Sequence, residues 1–151
     1  MIFSAPVQYA IRAMTYLGEQ EVGKLSSIRE ISRAAGIPMP YLAKIINRLS
    51  RRRLVTAKRG PSGGVMLGRP ASRITIEEIV EAMGGDLSVR QCILGIAECG
   101  DDVPCPLHES WKSVRKTLTR KMQEETVKDL VRAHLAKLDS GKQVRSVRPD
   151  L

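Results

Sequence analysis

Cys92, Cys99, Cys105 and His108 crowd into one short stretch in the pattern C-x6-C-x5-C-x2-H. Thiolate sulfur is a soft donor that selects iron–sulfur clusters, zinc or copper(I), and imidazole can complete either of the first two sites. Four such donors in one loop ahead of a helix can converge without help from distant parts of the chain. In a reducing compartment a cysteine otherwise behaves as a small buried hydrophobe. The neighbours Glu98, Gly100, Asp101, Asp102 and Pro104 do not describe a core, so a metal site is the better reading. The odd number of cysteines, three, also argues against a disulfide framework. Structural zinc sites favour short C-x2-C knuckles. The wider gaps here fit a bulkier inorganic centre, an iron–sulfur cluster, with zinc as the alternative. His134, isolated on a late helix, reads as a surface residue.

A second chemistry is electrostatic. The chain of 151 residues carries a formal net charge of +9, which favours a polyanionic partner, nucleic acid or an acidic membrane surface. Phe3, Tyr9, Tyr16, Tyr41 and Trp111 are the whole aromatic set. Readers of RNA and single strands stack bases on aromatic platforms, so the scarcity points to duplex DNA. No apolar stretch reaches the length of a membrane span and no leader pattern opens the chain. The cytoplasm is the expected location, with no membrane partner. No nucleophile–base pair or cofactor fingerprint appears, so an enzyme is not expected. A small iron–sulfur electron carrier would leave the basic segments unexplained.

The elements that must position these groups are mainly helical. Ser4 and Pro6 open a helix whose apolar residues Val7, Ala10, Ile11, Met14, Tyr16 and Leu17 run to about Glu21. Ser27 and Glu30 form a capping box for a short second helix, and Gly36 supplies a left-handed turn into the next. In that third helix, Pro40 to about Arg52, Leu42, Ile45, Ile46 and Leu49 form a buried stripe. Two short strands, Leu54–Lys58 and Val65–Leu67, flank a glycine-rich turn and predict a β-hairpin. Three helices followed by a hairpin describe a winged helix-turn-helix. Thr75 and Glu78 cap a further helix that buries Ile76, Ile79, Val80 and Met83 and stops at Gly84-Gly85. From Leu107, the stripe Leu107, Trp111, Val114, Leu118 and Met122 predicts a long amphipathic helix. It lies far from the first core and calls for a partner subunit, with Trp111, Val114, Leu118 and Met122 at the dimer interface. Thr126 and Asp129 mark a last helix start.

The fold class is therefore mainly α with a small β-hairpin wing. The expected organisation is a winged helix-turn-helix over 1–70, a connecting helix and linker over 71–90, and a cysteine-rich loop over 91–106. A dimerisation helix and a packing helix follow over 107–138, then a basic tail over 139–151 that reads as disordered. In a helix-turn-helix the second helix enters the major groove. Here it would present Tyr41, Lys44, Asn47, Arg48 and Arg51, a mixture of base-edge hydrogen-bonders and phosphate-neutralising charges. The wing offers Lys58, Arg59, Gly60 and Ser62 to phosphates or to a narrow minor groove. A charge run alone reads as a solvated face. The helix pair, the hairpin and the net charge together favour DNA.

These segments resemble the Rrf-type winged-helix regulators, the family of the iron–sulfur regulators IscR, NsrR and RirA. The resemblance rests on Tyr9-Ala10-Ile11-Arg12-Ala13, on Ile37 to Leu42, and on Arg59-Gly60-Pro61-Ser62-Gly63-Gly64 with Leu67 and Arg69-Pro70. The cysteine loop and Pro106-Leu107-His108-Glu109-Ser110-Trp111 match as well, so that it runs to about Leu138. It implies a homodimer on a double-stranded DNA operator, with the long helix crossing its twin. It also implies a cluster on Cys92, Cys99 and Cys105, with His108 as fourth ligand. Where some members use a carboxylate of the first helix, this chain has Gln8, which favours His108 and a two-iron (2Fe-2S) cluster over a four-iron one. The Cys92–Cys99 gap is one residue longer than the family's usual spacing. The implied function is transcriptional regulation, as a repressor, with operator affinity set by a cluster that senses iron, redox or nitric oxide. The alternative is the same DNA-binding fold with a structural zinc and no sensing role.

Overall fold

In the computed structural model, residues 3–85, 92–96 and 100–141 are described. Helix α1 (Ala5–Glu19) starts with proline in its first turn, where a missing N–H costs nothing, and turns Val7, Ala10, Ala13, Met14 and Leu17 inward. A reciprocal box caps α2 (Ile28–Ala35). The Ser27 hydroxyl accepts from the Glu30 amide at 3.2 Å, while the Glu30 carboxylate accepts from the Ser27 amide at 2.6 Å. Gly36 ends α2 in the left-handed region (φ 61°), a conformation that disfavours a side chain, and α3 (Met39–Arg51) follows at once. The expected stripe Leu42, Ile45, Ile46 and Leu49 is buried throughout.

Strands β1 (Val55–Lys58) and β2 (Gly64–Leu67) pair antiparallel, with Val55 opposite Leu67 and Lys58 opposite Gly64. A Cβ on Gly63 would sit 2.2 Å from the Lys58 carbonyl oxygen, so only glycine lets the hairpin close. Ser26 adds a third edge to this sheet by exchanging backbone hydrogen bonds with Val65 at 2.9 and 2.8 Å. One residue carries no strand periodicity, so this pairing leaves no sign in the chain.

A short 3-10 turn (Ala71–Arg73) leads to α4 (Ile76–Ala82), capped by Thr75 and Glu78 as expected. Then come α5 (His108–Glu124) and α6 (Val127–Asp139), with a capping box at Thr126 and Asp129. Thr75 and Thr126 form an antiparallel bridge: Ile76 donates to Glu125 at 3.0 Å and Val127 to Ile74 at 2.9 Å. This staple brings the end of α5 into the core of α1–α4. The long helix is thus not remote from the first core along its whole length. Met122 is 4 % exposed and Val127 is sealed in the same cluster. Gly18 permits α6 to lie close on α1, since a Cβ there would meet Val127 and Val131 methyl carbons at 2.8 Å. Of the tail expected over 139–151, only Asp139, Ser140 and Gly141 are among the described residues.

Candidate nucleic-acid interface and cysteine loop

On α3, Tyr41, Lys44, Asn47, Arg48 and Arg51 are exposed, opposite the buried stripe. Tyr41 packs beside Tyr9 of α1, ring centroids 6.3 Å apart and planes at 52°, which braces the start of the helix. Arg48 differs from its neighbours because Nη1 donates to the Met83 carbonyl at the end of α4, at 3.2 Å. The wing tip leaves Lys58, Arg59, Gly60 and Ser62 exposed. Gly60 takes φ 102°, and its carbonyl accepts from the Gly63 amide at 3.0 Å to tighten the turn. Helix and wing tip thus offer cations with few acidic neighbours, the arrangement that phosphate contacts require.

Arg12 is a residue that motif spacing does not single out. Its guanidinium lies over the Tyr9 ring, 4.9 Å from the centroid, and burial pulls its pKa down. Nε and Nη2 are buried and find no acceptor among the described residues. The signal in the chain is a cation inside the apolar pattern of α1.

In the cysteine loop, Cys92 and Cys105 are half-buried; Cys99 lies outside the described residues. The Cys92 carbonyl accepts from the Gly95 amide at 2.9 Å, with Gly95 at φ 67°. The Cys105 carbonyl accepts from the His108 amide at 2.9 Å, so the last cysteine and the histidine share one turn at the head of α5. His108 is 4 % exposed. Its Nε2 lies 2.9 Å from Asp101 Oδ1, and the same oxygen accepts from Lys112 Nζ at 2.8 Å. The Lys112 hydrogen bond, then that of His108, holds the Asp101 carboxyl down at about 2, while Asp101 raises Lys112 in return. Asp101, His108 and Glu109 bring three potential ligand atoms within 4.8 Å of one another. Neither Cys92 nor Cys105 joins that group among the described residues. Asp101 is thus a partner of His108 that the cysteine spacing does not reveal. Gln8, at the position considered for a carboxylate ligand, donates from Nε2 to the Phe3 carbonyl at 2.9 Å.

The apolar stripe of α5 divides along its length. Leu107 (44 %) and Val114 (50 %) are exposed, Trp111 and Leu118 are half-buried, and Met122 is inside its own chain's core. Met122, expected at the interface, is buried within its own chain at the end that the Thr75–Thr126 staple covers. His134 is likewise not a plain surface residue, since its Nδ1 pairs with the Glu19 carboxylate across α6 and α1. No helix of the described residues is long and apolar enough to cross a membrane.

Comparison with known proteins agrees with this architecture. The Rrf2 family profile, described as "Iron-dependent Transcriptional regulator", matches residues 3–133. A protein of Aquifex aeolicus (strain VF5) named as an HTH-type transcriptional regulator is 35 % identical over 133 residues, covering 87 % of this chain and 92 % of that one. Among solved structures, the global cysteine regulator CymR of B. subtilis superposes with a TM-score of 0.73 at 23 % identity, over 87 % of this chain and 96 % of that one. IscR of T. potens does so with a TM-score of 0.67 at 20 % identity, over 95 % and 92 %. These likenesses establish a winged-helix fold, and the family is one of regulators rather than enzymes. The chain belongs to the Rrf2 family of DNA-binding transcriptional regulators.

Proposed function

We propose that this regulator is a homodimeric repressor whose affinity for a double-stranded DNA operator is set by an iron–sulfur cluster held on Cys92, Cys99, Cys105 and His108. The observation that carries the reading is the buried His108, oriented by a hydrogen bond to Asp101 and joined to Cys105 by one turn of backbone. Metal-ligating histidines are oriented in this way by a carboxylate behind them. Half-buried thiols at Cys92 and Cys105 supply soft donors suited to a cluster. When bound, the cluster supplies a redox-active, oxidant-sensitive centre. The chain's own residues do the rest: Asp101 and Lys112 set the imidazole, and the head of α5 transmits its position. Leu107, Trp111, Val114 and Leu118 offer the apolar seam for the second subunit. A coupling of about 1–3 kcal/mol would change operator affinity about 5- to 150-fold.

Anaerobic purification with an absorbance spectrum and iron and sulfide analysis tests the cofactor. A brown or red protein with stoichiometric sulfide supports the cluster, while a colourless one with bound zinc supports the structural alternative. Replacing all three cysteines should remove the colour and shift operator affinity with the fold intact. Wild-type affinity in that variant would refute sensing.

A further inference from the structure

Helix α5 has a basic face outside its apolar stripe, joined to the cysteine loop at Lys112, which donates to Asp101. Lys112, Arg115, Lys116, Thr119, Arg120 and Gln123 recur at helical spacing and line a groove of about 550 Å³. No acidic side chain lines it. The face lies roughly a third of a turn from the apolar stripe of Trp111, Val114 and Leu118, at about 100° per residue.

Two observations separate this groove from an ordinary solvated face. The first is the charge left without an ion pair at Lys116 and Arg120. Lys112 and Lys116, and Lys116 and Arg120, are like-charged neighbours four residues apart, which weakens a helix. Lys121, on another side of α5, is flanked by Glu124 and Glu125 at 3.6 and 3.5 Å. Within the groove Lys112 is paired with Asp101, but Lys116 and Arg120 form no ion pair among the described residues. The sequence thus balances charge on one side of the helix and leaves it unbalanced on another.

The second is geometry. Lys112, Lys116 and Arg120 stand about 6 Å apart along the axis, a cationic line of about 12 Å. One DNA strand places a phosphate every 3.4 Å of axis or so, so the line spans about three of them. The Thr119 hydroxyl is a neutral donor of the type that accompanies phosphate contacts, while at the far end of the groove the Gln123 amide donates to Glu77 at 2.8 Å. An acidic protein segment would satisfy the charge, but such a partner commonly adds an apolar anchor, and this groove is lined by cationic and polar residues.

We propose that this face of α5 is a second DNA contact, a sequence-independent seat for duplex phosphates outside the base pairs read by α3 and the wing. It rests on the DNA-binding function of the family and not on the cluster.

The test uses the full-length protein and a random-sequence duplex, with affinity measured across a potassium chloride series. K116Q/R120Q keeps good helix formers while removing two cations. The slope of log affinity against log salt should become shallower by about 1.8 per chain, at about 0.9 for each phosphate no longer neutralised. K121Q, which removes a charge outside the groove, should leave the slope at its wild-type value. An unchanged slope in K116Q/R120Q overturns the proposal, and so does an equal change in K121Q, which would make the effect one of net charge. Binding of a polyglutamate peptide that depends on Lys116 and Arg120, with the DNA slope unaltered, would assign the face to an acidic protein and also overturn it. In the wild type, duplex should protect Lys116 from acetylation while Lys121 stays reactive; equal reactivity of Lys116 with and without DNA refutes the contact even if the variant misfolds. Weaker binding on removing Lys58 and Arg59 reports on the wing alone, so the two surfaces fail separately.

Discussion

Arg48 Nη1 donates to the main-chain carbonyl of Met83 at 3.2 Å, joining the DNA-reading helix to the residue that ends α4. A guanidinium is well placed there, because carbonyls at a helix C-terminus lack intrahelical donors and carry partial negative charge. In sequence the chain continues from Met83 through Gly84 and Gly85 toward Cys92, so under the proposed function this hydrogen bond would tie the recognition helix to the segment that leads to the cysteines.

Arg48→Ala should therefore act differently from Arg51→Ala. Removing a phosphate-neutralising charge at Arg51 should make the salt dependence of DNA binding shallower by about 1 per chain. Arg48→Ala should leave that slope near wild type and shrink the affinity difference between the cysteine-intact protein and its triple-cysteine variant. Fluorescence anisotropy over a salt series reads both quantities. Equal slope changes in the two variants would make Arg48 an ordinary phosphate-binding residue.

Gly63→Ala should disable the wing. The added Cβ meets backbone at 2.2 Å, which no rotamer change relieves. The expected loss is about 1–3 kcal/mol of stability, with weaker operator binding. A melt and a binding curve unchanged from wild type would show that the hairpin closes in another way.

The capping carboxylates give a pH dependence of defined sign. Glu30 is held below the usual carboxylate range by the Ser27 amide first, and Asp129 by the Thr126 hydroxyl first. In the unfolded chain both titrate near pH 4, or about 3.9 to 4.3. Their contributions are thus fully present above that value and are lost as pH falls through the lower folded pKa. A carboxyl-detected NMR titration should give midpoints below the unfolded values, and Ser27→Ala, which removes the hydroxyl but keeps the amide, should return Glu30 only part of the way while removing about 0.5–2 kcal/mol. Unshifted midpoints in the wild type would contradict the caps.

Asp101→Asn tests the support of His108. Under the proposed function, loss of the carboxylate should weaken metal retention by about 10- to 100-fold, as for other outer-shell partners. Iron content after dialysis against a graded chelator series is the readout. Retention equal to wild type would show that Asp101 serves only Lys112.

The helix-turn-helix is legible in the sequence because its signals are local. The Ser27–Glu30 box, Gly36 and the stripe from Leu42 to Leu49 lie within a few residues of one another and of the elements they define. The wing is legible for the same reason, through the glycines between two short β-rich runs. Relationships made across long sequence separations are not. The Ser26–Val65 and Thr75–Thr126 bridges each join single residues and leave no periodic trace, and the second places Met122 in the core. The cysteine spacing points to His108, but Asp101 stands out only as a polar neighbour, because a hydrogen bond between loop and helix has no motif. Cys99 lies outside the described residues, so the convergence of three thiols stands on the spacing and the resemblance.

The Thr75–Thr126 staple also makes α5 a lever with its fulcrum at the C-terminal end. At 17 residues the helix is about 25 Å long, and the buried His108 lies at the end opposite the staple. A tilt of only about 5° would carry that end about 2 Å over such a length, with the pivot beside Ile74 and Ile76 hardly shifting. A small rearrangement of the cysteine loop would therefore swing the exposed seam at Leu107 and Val114 far more than it disturbs the interior of the fold.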